Sequence, residues 1–230
     1  MTGSSILPVS IYKGKLFFLF GKENEFETSA KGFSDFGGGN EKGETLYDTA
    51  MREGAEELTG FLGDSEQLRQ YVKEKGGVYP INYKDQYHVH VCLIDYDEKL
   101  PIYYNQNHRF LWEKMDKNEL QKTKLFEKIE IKWFSIEDMK KNKNEFRPFY
   151  QDIVTEIIKE IPKIQKFVHN NNNKTKKKQL FSKHVHFQYT NSNKSRKIQR
   201  IATPFYSKKN IKRKEKTRKI RIKPENKIQE

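Results

Sequence analysis

Cysteine is nearly absent: Cys92, set in an apolar run, is the only one in 230 residues. A single thiol excludes an intramolecular disulfide and a cysteine-built metal centre, and it fits a reducing intracellular location, cytoplasmic or nuclear. Long apolar runs are lacking as well. The most apolar early stretch, Leu16 to Phe20, covers five residues, whereas a signal-peptide core needs at least about seven and a membrane helix about 20. A soluble protein with no membrane partner is expected. Acidic residues are scarce in one part of the chain only. Residues 170–230 hold 20 Lys and Arg against 3 Glu, more positive charge than the net +14 of the whole chain, so residues 1–169 are slightly acidic. Apolar residues also thin out beyond the run Asn170 to Asn173. These shifts divide the chain into a folded domain, 1–169, and a Lys/Arg-rich tail, 170–230, expected to be disordered, with Leu180 to Tyr189 as an isolated strand at most. Such a tail can bind the phosphate backbone of a nucleic acid, serve as a localisation signal through Lys208 to Lys219, or be a solvated extension.

The chemistry is concentrated between Gly37 and Gly60, which reads GGGNEKGETLYDTAMREGAEELTG. A helix is expected to begin near Thr45, after the glycine turn and with acids in its first turn. At 3.6 residues per turn, Glu53, Glu56 and Glu57 fall within a sector of about 100°, while Tyr47, Ala50, Met51 and Leu58 fall in another. The helix can therefore bury one side and present carboxylates from the other. Like charges one turn apart repel. Arg52 precedes Glu56 by one turn and can hydrogen-bond it, which orders the cluster without neutralising it. Carboxylates with no Cys or His beside them favour a hard divalent ion, Mg²⁺ or Mn²⁺, over zinc. The glycines ahead of the helix let a backbone carbonyl or a phosphate approach closely.

Gly38, Glu44, Arg52, Glu53, Glu56 and Glu57 match in register the Nudix box, the signature of the Nudix hydrolases. The stretch resembles that box with two departures: Gly54 stands where the family has an apolar residue, and Thr59 stands where the closing Gly belongs, with Gly60 one place late. A helix lengthened by one residue is the expectation there. The resemblance implies an α/β/α sandwich with a mixed sheet and hydrolysis of a nucleoside diphosphate linked to another group. It implies that Glu53, Glu56 and Glu57, with a carbonyl from Gly37 or Gly38, hold Mg²⁺ or Mn²⁺, while Arg52 and Glu44 brace them. In the family the general base is often a Glu outside the box, and Glu127 and Glu130 are the candidates. The substrate stays open between a small nucleotide and the 5′ cap of mRNA, where the tail would hold the RNA. A different class of reading is a non-catalytic RNA-binding or regulatory protein on the same scaffold.

The remaining elements are read from periodicity. Ile6 to Tyr12 and Lys15 to Phe20 form a hairpin turning at Lys13-Gly14. Residues 21–30 form a polar loop able to lean over a site, and Gly32 to Phe36 is a strand leading to the glycines. Asp64 to Lys75 is a helix stopped by Gly76-Gly77. Val78 to Tyr83 and Tyr87 to Tyr96 are strands, the second alternating Val89, Val91 and Leu93 with His88, His90 and Cys92. The two histidines share a face, which is one geometry for metal or phosphate contact and more often a half-exposed polar face. Asp97 to Leu120 is read as an aromatic insertion, either packing its own rings or stacking a ring on a base. Lys128 to Phe134 is a strand that leads into a helix start at Ile136 to Lys140, and Pro148 to Val168 is an amphipathic closing helix despite Pro162.

Overall fold

A computed structural model describes residues 2–24, 31–123 and 127–191, with side chains to residue 173. The chain divides into Met1–His186 and Phe187–Glu230; the account below concerns the first unit. Most of the charged tail therefore falls outside the described residues, as does most of the loop expected at 21–30.

Strands β1 (Gly3–Tyr12) and β2 (Lys15–Glu23) form the expected hairpin. Its two turn residues, Lys13 and Gly14, have φ of +47° and +77°. Two successive left-handed residues match the twist of the flanking strands, which is why Lys-Gly serves here. On its other side β1 pairs in parallel with β6 (Tyr87–Leu93), which pairs antiparallel with β5 (Val78–Tyr83). The short strands β3 (Phe33–Ser34) and β4 (Phe36–Gly39) join β2 and β1, and β7 (Lys128–Ser135) joins β2. The described residues thus form one mixed sheet of seven strands.

Each face of the sheet buries its own core. On one face Leu7, Phe18, Phe20, Val91 and Phe134 pack with Tyr150, Ile153, Ile157 and Ile161 of a long closing helix. On the other, Ile6, Leu19, Phe36 and Cys92 pack with Ala50, Met51, Leu68, Val72 and Tyr104 from three helices, α1 (Leu46–Glu57), α2 (Ser65–Glu74) and α3 (Lys99–Lys114). The architecture is the expected α/β/α sandwich. β6 lies between β1 and β5, and both of its faces are covered, Val89, Val91 and Leu93 by one core and Cys92 by the other. The alternation legible in its sequence therefore separates two cores rather than inside from outside.

Three expectations are corrected. The segment 97–120 is helical: α3 spans Lys99–Lys114 and α4 covers Lys117–Thr123. Pro101 lies in the first turn of α3, where its missing N–H has no intrahelical partner to lose. Leu100, Tyr104 and His108, four apart, are its buried stripe. The closing helix, which follows α5 (Ile136–Lys141), does not end at Val168. This helix, α6, runs from Tyr150 to Asn191 and includes residues 180–189, so no isolated strand forms there. A strand needs a partner for its backbone bonds, whereas a helix supplies its own. The stripe Ile157, Ile161, Ile164 and Val168 continues across Pro162.

Candidate active site

Helix α1 begins where the sequence predicts. Thr45 is its N-cap, accepting from the Asp48 N–H while the Asp48 side chain accepts from the Thr45 N–H, a closed capping box. Glu44 therefore stays outside the helix, at the end of the glycine turn. The cluster is organised by Arg52. Its Nε and Nη2 donate to the two oxygens of Glu44 at 2.8 and 3.1 Å, and its Nη1 donates to Glu53 at 2.8 Å and to Glu56 at 3.4 Å. Nη2 also reaches the Gly39 carbonyl at 3.2 Å. The fork of one guanidinium thus holds three carboxylates and the end of β4, a task that a point-charge ammonium cannot perform. The shortest bonds go to Glu44 and Glu53, not to the Glu56 that helical spacing suggests. Arg52 holds the Glu44 carboxyl down at about 2, with help from the Thr49 hydroxyl. Burial pushes Glu53 up, against the pull of Arg52. Glu56 remains largely exposed.

Glu57 has a different environment. It is buried, one oxygen accepts the Gly37 N–H at 2.8 Å, and the other lies 3.1 Å from Lys128 Nζ. Lys128, 1% exposed, also pairs with Glu23 and donates to the Ser34 hydroxyl at 3.1 Å, while Arg147 holds Glu23 at 2.6 Å. Two cations and two carboxylates therefore neutralise each other inside the protein. Burial alone would lower Lys128, but Glu57 and Glu23 more than offset it and keep the ammonium charged. Burial pushes Glu57 up and Lys128 opposes it. The Tyr104 hydroxyl, from α3, lies 2.7 Å from the Glu57 carbonyl and 3.1 Å from that of Lys128, so its one proton is shared between the two backbones, chiefly with Glu57.

The two departures in the box have structural causes. A Cβ on Gly54 would stand 2.6 Å from Ile6 Cγ1, so glycine lets α1 sit directly on β1. The helix is not lengthened. It ends at Glu57 with Leu58 as its cap, and Thr59 takes the left-handed conformation, φ +52°, that glycine would adopt more easily. The Thr59 N–H donates to the Glu56 carbonyl and the Gly60 N–H to that of Ala55, which closes a Schellman motif with Thr at the strained position. Gly38, opposite Ser4 in the sheet, lies against Glu53: a Cβ there would be 2.5 Å from the carboxyl carbon. The carbonyl seen to reach the cluster is that of Gly39.

Other candidates separate clearly. Glu127 is close enough for its charge to act on both Glu53 and Glu57. Glu130 lies on β7 opposite Lys22. His90 is a core residue: its Nδ1 is 3.3 Å from the Ser4 hydroxyl and 3.2 Å from the Ser5 carbonyl, its ring packs edge-on to Tyr47, and burial lowers its pKa. The sequence reading missed Lys128, Glu23, Arg147 and Tyr104. No local signal singled out Lys128, since its strand also carries Glu130 and Lys132.

Residues 9–154 match the model of the NUDIX domain. The chain belongs to the Nudix family, and with it to the pyrophosphohydrolases, which act on nucleotide-linked substrates with divalent cations. No curated protein matches the chain. Among solved structures, a C. elegans Ap4A hydrolase in a binary complex is similar at 12% identity, over 68% of this chain and 93% of that one, with a TM-score of 0.40. A mutT/nudix family protein from Listeria innocua is similar at 10% identity, over 70% and 94%, with a TM-score of 0.38. No helix among the described residues is long and apolar enough to cross a membrane.

Among the described residues, no three His, Cys, Asp or Glu side chains converge into a ready metal cluster. The oxygen chemistry nevertheless fits a hard divalent ion at Glu53 and Glu56, which lie on either side of Arg52 Nη1 at the accessible edge of the helix. Both oxygens of Glu57 are already partnered.

Proposed function

We propose that this protein is a Mg²⁺- or Mn²⁺-dependent hydrolase that cleaves the diphosphate of a nucleoside diphosphate linked to a second group. The observation that carries this reading is the gathering of Glu44, Glu53 and Glu56 by the single guanidinium of Arg52 against the glycine strand. Glu53 and Glu56 would hold the ion, with the Gly38 backbone and Glu57 beside them. Bound there, the ion would neutralise diphosphate oxygens and lower the pKa of an attacking water. Glu44 fixes Arg52, and Arg52 fixes the orientation of Glu53, so the ligand face is built before substrate arrives. The absence of a Cβ at Gly38 lets the Glu53 carboxyl pack directly against the glycine strand. Glu127 is the better placed of the two candidate bases, since its charge already acts on the cluster.

The substrate is either a small nucleotide, such as a dinucleoside polyphosphate, a damaged nucleoside triphosphate or a nucleotide sugar, or the 5′ cap of mRNA. The 20 cations of residues 170–230 favour the cap, because neutralised phosphates strengthen RNA binding in a salt-dependent way. Cap-labelled RNA and a panel of small nucleotides, each incubated with Mg²⁺ and full-length protein or Glu53→Gln, test the proposal. Release of methylated GDP by wild type alone identifies decapping. Turnover of a small nucleotide alone assigns that class and leaves the tail as an address or extension. RNA binding without turnover of either substrate would instead mark a non-catalytic RNA-binding protein.

A further inference from the structure

The helix that carries the expected metal ligands presents only part of them. Glu53 and Glu56 face the accessible edge, whereas Glu57 is buried with both oxygens taken, by the Gly37 N–H and by Lys128. We infer that Lys128 is a tethered cation of the active site, holding Glu57 in place of a metal ion, so that divalent ions bind through Glu53 and Glu56 and Glu57 stays outside the ligand set. This rests on the proposed reading of the site and changes one residue's part in it.

Three observations carry the inference. The ammonium is held on three sides, by Glu57, Glu23 and the Ser34 hydroxyl, and Arg147 completes the charge balance at Glu23. Withdrawal of Lys128 to admit an ion would leave a buried carboxylate short of charge on one side and a buried ammonium without its partner on the other. The stem is caged as well. A Cβ on Gly21 would stand 2.7 Å from Lys128 Cγ and 2.9 Å from Cδ, so glycine at that point of β2 is what makes room for the side chain. Finally, the Tyr104 hydroxyl lies within reach of both the Glu57 and the Lys128 carbonyls, at 2.7 and 3.1 Å, and its one proton keeps the two backbones close around it. An ion on Glu57 would also bring a double positive charge against an ammonium 3.1 Å from the same carboxylate. Lys128 is thus a positioning residue. It anchors the last turn of α1 and thereby sets the pitch at which Glu53 and Glu56 emerge.

Binding of Mn²⁺ to the full chain, followed by the electron paramagnetic resonance of the free aquo ion, tests this without any substrate. Thermal melts establish that each variant folds. Glu53→Gln should weaken Mn²⁺ by about 100-fold or more, and Glu57→Gln should stay within about tenfold, the range of a residue outside the ligand set. Lys128→Met should bind additional Mn²⁺, because the freed Glu57 becomes a ligand. Should Lys128→Met fail to fold, the contrast between Glu53→Gln and Glu57→Gln decides alone. A loss in Glu57→Gln as large as in Glu53→Gln overturns the inference and leaves the proposed site standing. No binding by wild type, or an unchanged affinity in Glu53→Gln, overturns the proposed site and the inference together.

Discussion

Arg52 and Lys128 both hold carboxylates of helix α1, yet they work in opposite surroundings. Arg52 lies at the edge of the site, its side chain 22% exposed, and shares five donors among Glu44, Glu53, Glu56 and Gly39. Its partners range from Glu53, 15% exposed, to Glu56, 62% exposed, so water reaches part of the cluster and a carboxylate there can exchange part of its bonding to Arg52 for a metal ion. Lys128 is 1% exposed and has no such alternative, so its pairings are effectively permanent. One helix therefore carries an exchangeable set of acids beside a fixed one. Adjacency in the sequence, as between Glu56 and Glu57, does not imply the same role.

The largest expected effect lies on the exchangeable side. Glu53→Gln should lower turnover by about a thousandfold, since several kcal/mol of charge stabilisation depend on the ion it holds. Its urea midpoint should stay close to that of wild type. A comparable loss of stability would place Glu53 with Glu57 and erase the contrast. On the fixed side, Lys128→Met should cost about 3–5 kcal/mol in urea unfolding, because Glu57 and Glu23 are left buried and undercompensated. Combining it with Glu57→Gln should recover part of that loss. Simple additivity of the two would show that they do not act as a pair.

Asp35 is a third buried acid and sharpens the contrast, because hydroxyls hydrogen-bond it while the Lys128 charge acts on it only weakly. It accepts from the Ser5 and Tyr87 hydroxyls, and burial pushes its pKa up to about 6 from the ordinary 3.8 despite those bonds. The folded protein then holds a proton that the unfolded chain has released between pH 4 and 6. Stability from this group is full below about pH 3.8, falls as the pH rises through about 6, and is flat above. The total is about 3 kcal/mol. Urea midpoints across that range should decline for wild type relative to Asp35→Asn. Parallel profiles would show that the carboxyl is not held protonated.

How much of this was legible depends on whether the signal is local. The helix start near Thr45 and the Lys13-Gly14 turn are short-range features, and each appears in the structure where expected. Helix α3 escaped the reading although Leu100, Tyr104 and His108 recur every four residues, because Pro101 and the surrounding aromatics suggested an irregular segment. The His88 and His90 pair was read correctly as one face of a strand, but nothing local reveals that α1 packs on that face and buries His90. The pairing of Lys128 with Glu57 and Glu23 joins three segments separated by up to 105 residues, which no spacing rule can see.

Gly54 shows the same limit in a smaller effect. By helix propensity alone, Gly54→Ala should gain nearly 1 kcal/mol. Contact with Ile6 reverses the sign, since a Cβ would stand 2.6 Å from Ile6 Cγ1 and force α1 away from β1. A net loss of about 1–2 kcal/mol is expected. Turnover should fall as well, because the displaced helix carries Glu53 and Glu56 while Lys128 and Tyr104 keep its last turn in place. A stabilised Gly54→Ala would mean that the helix can shift freely, contrary to an anchored C-terminal turn.

Thr59→Gly is the smallest change and isolates that turn. Thr59 holds φ +52°, and a left-handed conformation costs a branched residue roughly 1 kcal/mol that glycine does not spend. Against this, glycine makes the unfolded chain more flexible, which returns part of the gain. A net stabilisation of about 0.5 kcal/mol is expected in thermal or urea unfolding. Because the backbone bonds of the motif, Thr59 N–H to Glu56 and Gly60 N–H to Ala55, do not depend on the side chain, the orientation of the acids should be kept. Mn²⁺ affinity should therefore match wild type. A weakened affinity in a stabilised Thr59→Gly would show that the strain at the helix end itself sets the pitch of Glu53 and Glu56, and that the fixed region of the helix does more than hold Glu57.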